Sequence, residues 1–401
     1  MKILALGIGK IGKALLKDMI KNPEVLEVVA GDIDIQKLKQ YINELGSNKV
    51  KAEYIDIREH DKLVKLMKGG FDVVTSTLPH EYNVEVAKAA IKAGVNMVDV
   101  GSDPEIFNLD RKAKEVGVII IPSCGLDPGI DRILEGYGAK KLDKIEGIYM
   151  WCGGFPQKNT PAYNNPLRYK ITWYWKRAIL SYIGKAKILR NGKIVEVEKL
   201  TGPGNPEIIT FPEPIGECEA FYTSAPFDVI EHLGLKSVEN AWNKTVRWKG
   251  HCDIWTKLIE LSLTSNEILK VKECDITPFE FLIDLGKKTL QYEKGEGDIV
   301  VERVHMIGQK NGEKTLYGYE MIDFYDKEND VTAMARTTAY PCSIVSQMIA
   351  RGDIKEKGVL HASKIGWNTD QANKFFAELA KRNIKITKTI TRPLTPTPPI
   401  I

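Results

Sequence analysis

No Cys-x-x-Cys pair occurs in the 401 residues; the six cysteines (Cys124, Cys152, Cys218, Cys252, Cys274 and Cys342) are scattered. That spacing argues against a zinc site and for reduced thiols in a cytoplasmic protein, with no metal expected. Long apolar runs are missing too. Nothing approaches the length of a bilayer span, and no leader-like segment opens the chain, so no membrane association is expected. Blocks of one charge are also lacking: 57 basic and 53 acidic residues mix along the chain to a net charge of +4. An electrostatic nucleic-acid binder is therefore not expected. There is no internal repeat. With 43% hydrophobic residues, the chain can bury a large core spread over two or three domains.

What is present is concentrated at the start. The apolar Ile3 to Leu6 run leads directly into Gly7-x-Gly9-x-x-Gly12. A segment with helical spacing follows (Ile11, Leu15, Leu16, Met19), then a second apolar run that ends at Asp32. Gly7 permits a tight turn, Gly9 lets a pyrophosphate approach the backbone, and Gly12 lets helix and strand pack closely. The helix N-terminus would hold the phosphate charge. A carboxylate at the end of the second strand can accept both adenosine ribose hydroxyls and would repel a 2′-phosphate, so NAD is expected ahead of NADP. Asp34 competes with Asp32 for that role.

Strand and helix then alternate. Helices are expected over 35–45, 58–68, 83–93 and 103–116, and strands over 50–57, 71–77, 95–100 and 118–122. The pattern is α/β: a doubly wound parallel sheet. Small and polar residues after the fourth strand, Ser76-Thr77-Leu78-Pro79-His80, would line the dinucleotide crevice. The segment Ser123 to Asp131 forms a turn around Asp127, which could face a substrate or simply cap the following helix. From about residue 145 the period becomes two. Strands are expected at 145–151, 187–190, 193–198, 217–222, 244–248, 300–307 and 314–324, with hairpin turns at Asn191-Gly192 and Asn311-Gly312. Helices are expected over 166–183, 255–261 and 277–287. This makes a mostly antiparallel α+β domain. Helices at 337–351 and 368–382 and a strand at 384–389 follow, and 393–401 is a Pro/Thr-rich tail.

These segments resemble the saccharopine dehydrogenase family, in particular its glutamate-forming saccharopine dehydrogenases and lysine 6-dehydrogenases. The resemblance is carried by the Gly7–Gly12 loop, Cys124-Gly-Leu-Asp-Pro-Gly-Ile-Asp131, Trp151-Cys-Gly-Gly-Phe-Pro156 and Asn165-Pro-Leu-Arg-Tyr-Lys-Ile-Thr-Trp173. Phe211-Pro-Glu-Pro-Ile-Gly216, Thr245-Val-Arg-Trp-Lys-Gly250 and Ala335-Arg-Thr-Thr338 continue it in family order. Arg168 stands where the saccharopine pattern has glycine. The resemblance implies a Rossmann domain over 1–125 and 335–392 and a substrate-binding and dimerisation domain over 126–334. It also implies a homodimer, a small amino-acid substrate, and oxidation of a C–N bond in which hydride passes to the nicotinamide and water hydrolyses the imine. A carboxynorspermidine-type dehydrogenase and a non-catalytic NAD-binding sensor or scaffold are the alternatives.

The implied dinucleotide contacts are Gly7, Gly9, Lys10, Ile11, Gly12, Asp32, Ile33, Asp56, Ile57, Ser76, Thr77, Leu78, Pro79, His80, Asn83 and Leu126. Gly101, Ser102, Arg168, Lys170, Arg177 and Arg247 would meet the substrate. The four cations suit its carboxylates, and each could equally be a solvated surface charge. Asp127 and His251 are the expected catalytic groups. His251 could serve as acid or base near neutral pH, or be a hydrogen-bonded structural histidine. His80 could touch the nicotinamide ribose or cap the next helix. Cys124 and Cys152 read as packing residues.

Overall fold

In a parallel sheet covered on both faces, strands lose their alternation and become apolar throughout. The first part of the chain follows that rule, with Leu4, Leu6, Val74, Met97 and Ile120 removed from solvent. Its strands are β1 (Lys2–Leu6), β2 (Glu27–Asp32), β3 (Val50–Tyr54), β4 (Val73–Ser76), β5 (Asn96–Asp99) and β6 (Ile119–Ile121). Between them run α1 (Lys10–Lys21), α2 (Ile35–Leu45), α3 (His60–Met67), α4 (Asn83–Ala93) and α5 (Asp110–Val116), and α6 (Ile130–Ala139) follows β6. The structure, a computed structural model, describes residues 1–392; the expected tail over 393–401 lies outside the described residues.

The next part holds β7 (Lys144–Pro156), α7 (Trp175–Tyr182), β8 (Lys185–Arg190), β9 (Lys193–Glu198), β10 (Glu207–Phe211) and β11 (Gly216–Ser224). Then come α8 (Phe227–His232), β12 (Asn240–Trp248), α9 (His251–Glu260), β13 (Leu269–Val271), β14 (Cys274–Ile276) and α10 (Pro278–Thr289). The long hairpin β15 (Asp298–Lys310) and β16 (Glu313–Phe324) follows. The chain ends with α11 (Ala333–Ala350), β17 (Gly358–Val359), α12 (Ser363–Trp367), α13 (Thr369–Lys381) and β18 (Ile386–Thr391).

Two units result. The first joins Met1–Lys141 to Ala335–Lys385, and the second is Leu142–Met334 with the last strand. The first sheet is entirely parallel, in the order β17-β6-β5-β4-β1-β2-β3. The strand order reverses between β1 and β4, the position where doubly wound sheets bind ligands. Within this unit, Cys342 of α11 reaches the Val98 carbonyl and Gln347 bonds Asn22, so the late helix packs on the early strands.

In the second unit the sheet runs β10-β11-β12-β7-β15-β16-β18, with β8 and β9 branching from β12. Only β12 and β7 pair in parallel. Period two sends neighbours to opposite faces. Phe221 joins Tyr169, Trp175, Tyr182 and Trp255 under α7, α9 and α10, while Ala220 joins Trp151, Phe155 and Trp248.

Several boundaries depart from expectation. α6 stays with the first unit, which therefore ends at Lys141 and not at 125, and the last strand pairs with β16 of the second unit. The helix expected over 166–183 forms only as α7. Asn165 folds its side chain onto the Ala162 and Tyr169 backbones, and Arg168 turns left-handed at φ 47, so 166–174 cannot continue a helix. Residues 103–116 split into the 3-10 segment Pro104–Leu109 and α5. The seventh strand of the first sheet, β17, is too short for any periodicity to mark it.

Candidate active site

The three glycines of the first loop have three different surroundings. Gly7 sits at φ +82, and a Cβ there would come within 2.8 Å of the Leu78 side chain. A Cβ on Gly12 would lie 2.1 Å from the Gly7 carbonyl oxygen. At Gly9 nothing lies within 4 Å of that position. The turn, the close packing and the open approach thus fall at the places where a pyrophosphate needs them. Gly9 is also the N-cap of α1 and is exposed, and a helix N-terminus favours an anion. Lys10 is exposed and Ile11 half-buried at its first turn.

Asp32 is fixed at the end of β2. Its Oδ2 accepts the Ile8 N–H at 2.7 Å and its Oδ1 accepts the Asp34 N–H at 2.9 Å. Asp34 is occupied as the N-cap of α2. Ile33 beside them is 55% exposed. After β3, the Asp56 carboxylate takes a two-pronged ion pair from Arg58, which holds it below the usual carboxylate range; Ile57 is half-buried. These residues lie at or follow the carboxyl ends of β1, β2 and β3.

Across β1 the ends of β4, β5 and β6 are tied through Asp99. Ser76 Oγ donates to Asn83 Oδ1 at 2.6 Å, and Asn83 Nδ2 donates to Asp99 Oδ1 at 3.4 Å. The same oxygen accepts Gly101 N at 2.7 Å and Ser123 N at 3.4 Å. Asp99 Oδ2 is buried with no hydrogen-bond partner, and burial raises its pKa to about 7. Thr77 Oγ bonds the Gly7 carbonyl from the β4 side. Leu78 and Pro79 lead to His80, whose ring stands 3.0 Å from the Glu81 carboxylate; Ser102 follows Gly101 at the rim.

The Gly125–Asp131 turn folds back on itself: Gly125 N donates to the Pro128 carbonyl and Ile130 N to that of Gly125. Each N–H from Gly129 to Ile133 has an acceptor other than Asp127. Asp131 Oδ1 takes those of Gly129 and Arg132, both at 2.7 Å. The carbonyls of Gly125, Leu126 and Gly129 take the others. Asp127 is exposed in this turn while Leu126 is buried.

In the second unit the expected cations have separate fates. Lys170 is buried in an ion pair with Glu296 at 2.5 Å. Arg177 is half-buried on α7, and Arg168 is exposed, with its guanidinium 3.2 Å from the Lys249 carbonyl. Arg247 is not a surface charge; it is 2% exposed and faces the Tyr169 ring. Its Nε donates to Tyr182 Oη at 3.1 Å, which stands 3.0 Å from His251 Nε2, and His251 Nδ1 lies 2.8 Å from the Leu167 carbonyl. The chain of donors assigns the tautomer: Nδ1 carries the proton and Nε2 accepts from the phenol. Burial, with the Arg247 charge, lowers the His251 pKa to about 3. His251 is thus a neutral structural residue, which corrects its expected acid–base role.

Sequence reasoning missed Asp99, Tyr182 and Glu219, whose oxygens receive Gly250 N and Cys252 N at the start of α9. An acidic residue closing an apolar strand was the available signal for Asp99. Among the described residues no group of three or more metal-binding side chains gathers.

Residues 3–121 match the family model described as saccharopine dehydrogenase NADP binding domain, and residues 125–384 match saccharopine dehydrogenase C-terminal domain. The saccharopine dehydrogenase [NADP(+), L-glutamate-forming] of Schizosaccharomyces pombe is 25% identical over 89% of this chain and 93% of its own. The mitochondrial alpha-aminoadipic semialdehyde synthase of Bos taurus is 23% identical over 90% of this chain, which spans only 45% of that longer protein. The apo saccharopine dehydrogenase (L-Glu forming) of Saccharomyces cerevisiae shares the fold, with a TM-score of 0.81 at 19% identity over 97% of this chain and 99% of that one.

Proposed function

The chain belongs to the saccharopine dehydrogenase family, and from that premise we propose that it oxidises the C–N bond of saccharopine, yielding glutamate and 2-aminoadipate semialdehyde. The observation that carries this reading is the Gly125–Asp131 turn, where Asp131 takes the capping work and Asp127 is left exposed at the carboxyl end of β6. The bound nicotinamide supplies a hydride acceptor. The protein's part is to hold the amine in neutral form and to stabilise positive charge that grows on nitrogen as hydride leaves its carbon. The Asp127 carboxylate stabilises that positive charge, and a group that acts more strongly in the transition state raises turnover. Arg168 and Arg177 are the cations proposed for substrate carboxylates.

NAD is the proposed dinucleotide, in contrast to the NADP in the names of the matched domain and relatives. Asp32 supports it: a carboxylate fixed by two backbone N–H groups would stand against a 2′-phosphate. A homodimer is proposed through the second unit, where Leu261, Ile268, Val271 and Phe281 are exposed. Six free cysteines suit a reducing cytoplasm, and no helix among the described residues is long and apolar enough to cross a membrane. The test is dinucleotide reduction followed with saccharopine, lysine and carboxyspermidines in parallel. Turnover on saccharopine well above the others is expected. Turnover on lysine alone would assign a lysine 6-dehydrogenase, and binding of NAD without turnover on any amine a sensor.

A further inference from the structure

Asp99 has no role in the scheme above, yet it is the most exposed electrostatic problem in the first unit. It ends β5 with its carboxyl removed from solvent. Three donors converge on Oδ1, and Oδ2 has none. A buried carboxylate is ordinarily paired with a cation or hydrogen-bonded through both oxygens, because desolvation is otherwise uncompensated. The groups facing Asp99 do not provide that cation. Asp103 adds like charge, and the Cys124 and Cys342 thiols are held neutral by burial. Asn83 and Ser76 are uncharged, and His80, behind Gly101, stands beside the Glu81 carboxylate.

Position supplies the missing partner. Asp32 and the glycine loop place the adenosine half of a dinucleotide over β1 and β2, so the nicotinamide half falls across the switch point, over the ends of β4, β5 and β6. Those are the strand ends that Asp99 ties together. The oxidised nicotinamide ring is a cation and the reduced ring is neutral. We propose that Asp99, when ionised, favours the oxidised over the reduced dinucleotide, acting through a low-dielectric interior without touching the ring. This rests on the dinucleotide reading of the first unit and not on the identity of the amine.

The consequence is a proton linkage. Burial sets the Asp99 carboxyl to titrate near neutrality, so the oxidised dinucleotide should bind best where Asp99 is ionised and should expel its proton where it is not. Calorimetric titration of the whole protein with NAD+ and with NADH at pH 6 and pH 8 tests this, in two buffers of different ionisation enthalpy to count protons. The ratio of NAD+ to NADH affinity is expected to rise about tenfold from pH 6 to pH 8, within the usual range of coupling between sites. NAD+ and not NADH should release a fraction of a proton near pH 7. Asp99→Asn, which keeps the shape, should make the ratio independent of pH. A flat ratio in the parent protein, or a rise that persists in Asp99→Asn, overturns the inference and leaves the dinucleotide reading intact. Binding of neither form, with NADP+ and NADPH also unbound, would overturn both.

Discussion

In the first unit Asp99 is buried with one oxygen unanswered and no cation beside it, whereas in the second Arg247, Tyr182 and His251 pass each hydrogen bond to the next until the Leu167 carbonyl closes the series. Both settings bury ionisable groups at strand ends or helix starts. The difference lies in whether the chain itself completes the donors and acceptors. Where it does, as around His251, the group holds Leu167 and the irregular 165–174 segment in place and stays neutral. Where it does not, the balance is left to something the chain does not contain.

Substitutions can break that comparison in graded ways. The largest effect is expected at Gly12→Ala, whose methyl would lie 2.1 Å from the Gly7 oxygen. Overpacking of that kind costs about 1–3 kcal/mol or more, and NAD affinity should fall at least about a hundredfold because the phosphate turn moves. Gly9→Ala should leave the melting temperature unchanged and weaken NAD alone, since its Cβ meets no neighbour; isothermal titration and a thermal melt separate the two.

His251 and Asp99 should show opposite pH signs. The folded pKa of His251 is lowered from 6.5 to about 3, so its contribution is present above the unfolded value and lost as pH falls toward 3. Urea unfolding at pH 7 and pH 4 should show a second unit weakened by up to about 3 kcal/mol in acid, and less so in His251→Gln. No His251 ionisation should appear in the turnover profile near neutrality. For Asp99 the folded value is raised from 3.8 to about 7, so stability is present below the unfolded value and lost as pH rises through 7. Relative to the parent, Asp99→Asn should gain up to about 4 kcal/mol between pH 4 and pH 8. The smallest effect belongs to Asp32→Ala: a preference for NAD over NADP of about tenfold, or roughly 1.4 kcal/mol, should shrink in parallel kinetics with the two cofactors. Equal use of both by the parent would remove the carboxylate from that role.

Much of the first unit could be read from residue order because each constraint there is local. A glycine triplet, an apolar run and an acidic strand end act within about thirty residues of one another. The second unit resisted such reading where distant residues decide. Arg247 looks like any surface arginine until β12 buries it under Tyr169. Residues 166–174 carry helical spacing, but Asn165 and the left-handed Arg168 redirect them. That backbone also accounts for the glycine of the family pattern, because only a positive φ fits there. Asp99 and Asp32 are alike in sequence, each closing an apolar run; only burial tells them apart, half-exposed in one and complete in the other.

Asp127 is proposed to work on the substrate and not on the fold. The most direct measurement is the catalytic constant of Asp127→Asn with saccharopine, taken with its NAD affinity and melting temperature. A loss of turnover on the order of a hundredfold, typical of a lost acid–base or charge-stabilising group, is predicted with the other two unchanged. Near-normal turnover in that folded, NAD-binding variant would contradict the account.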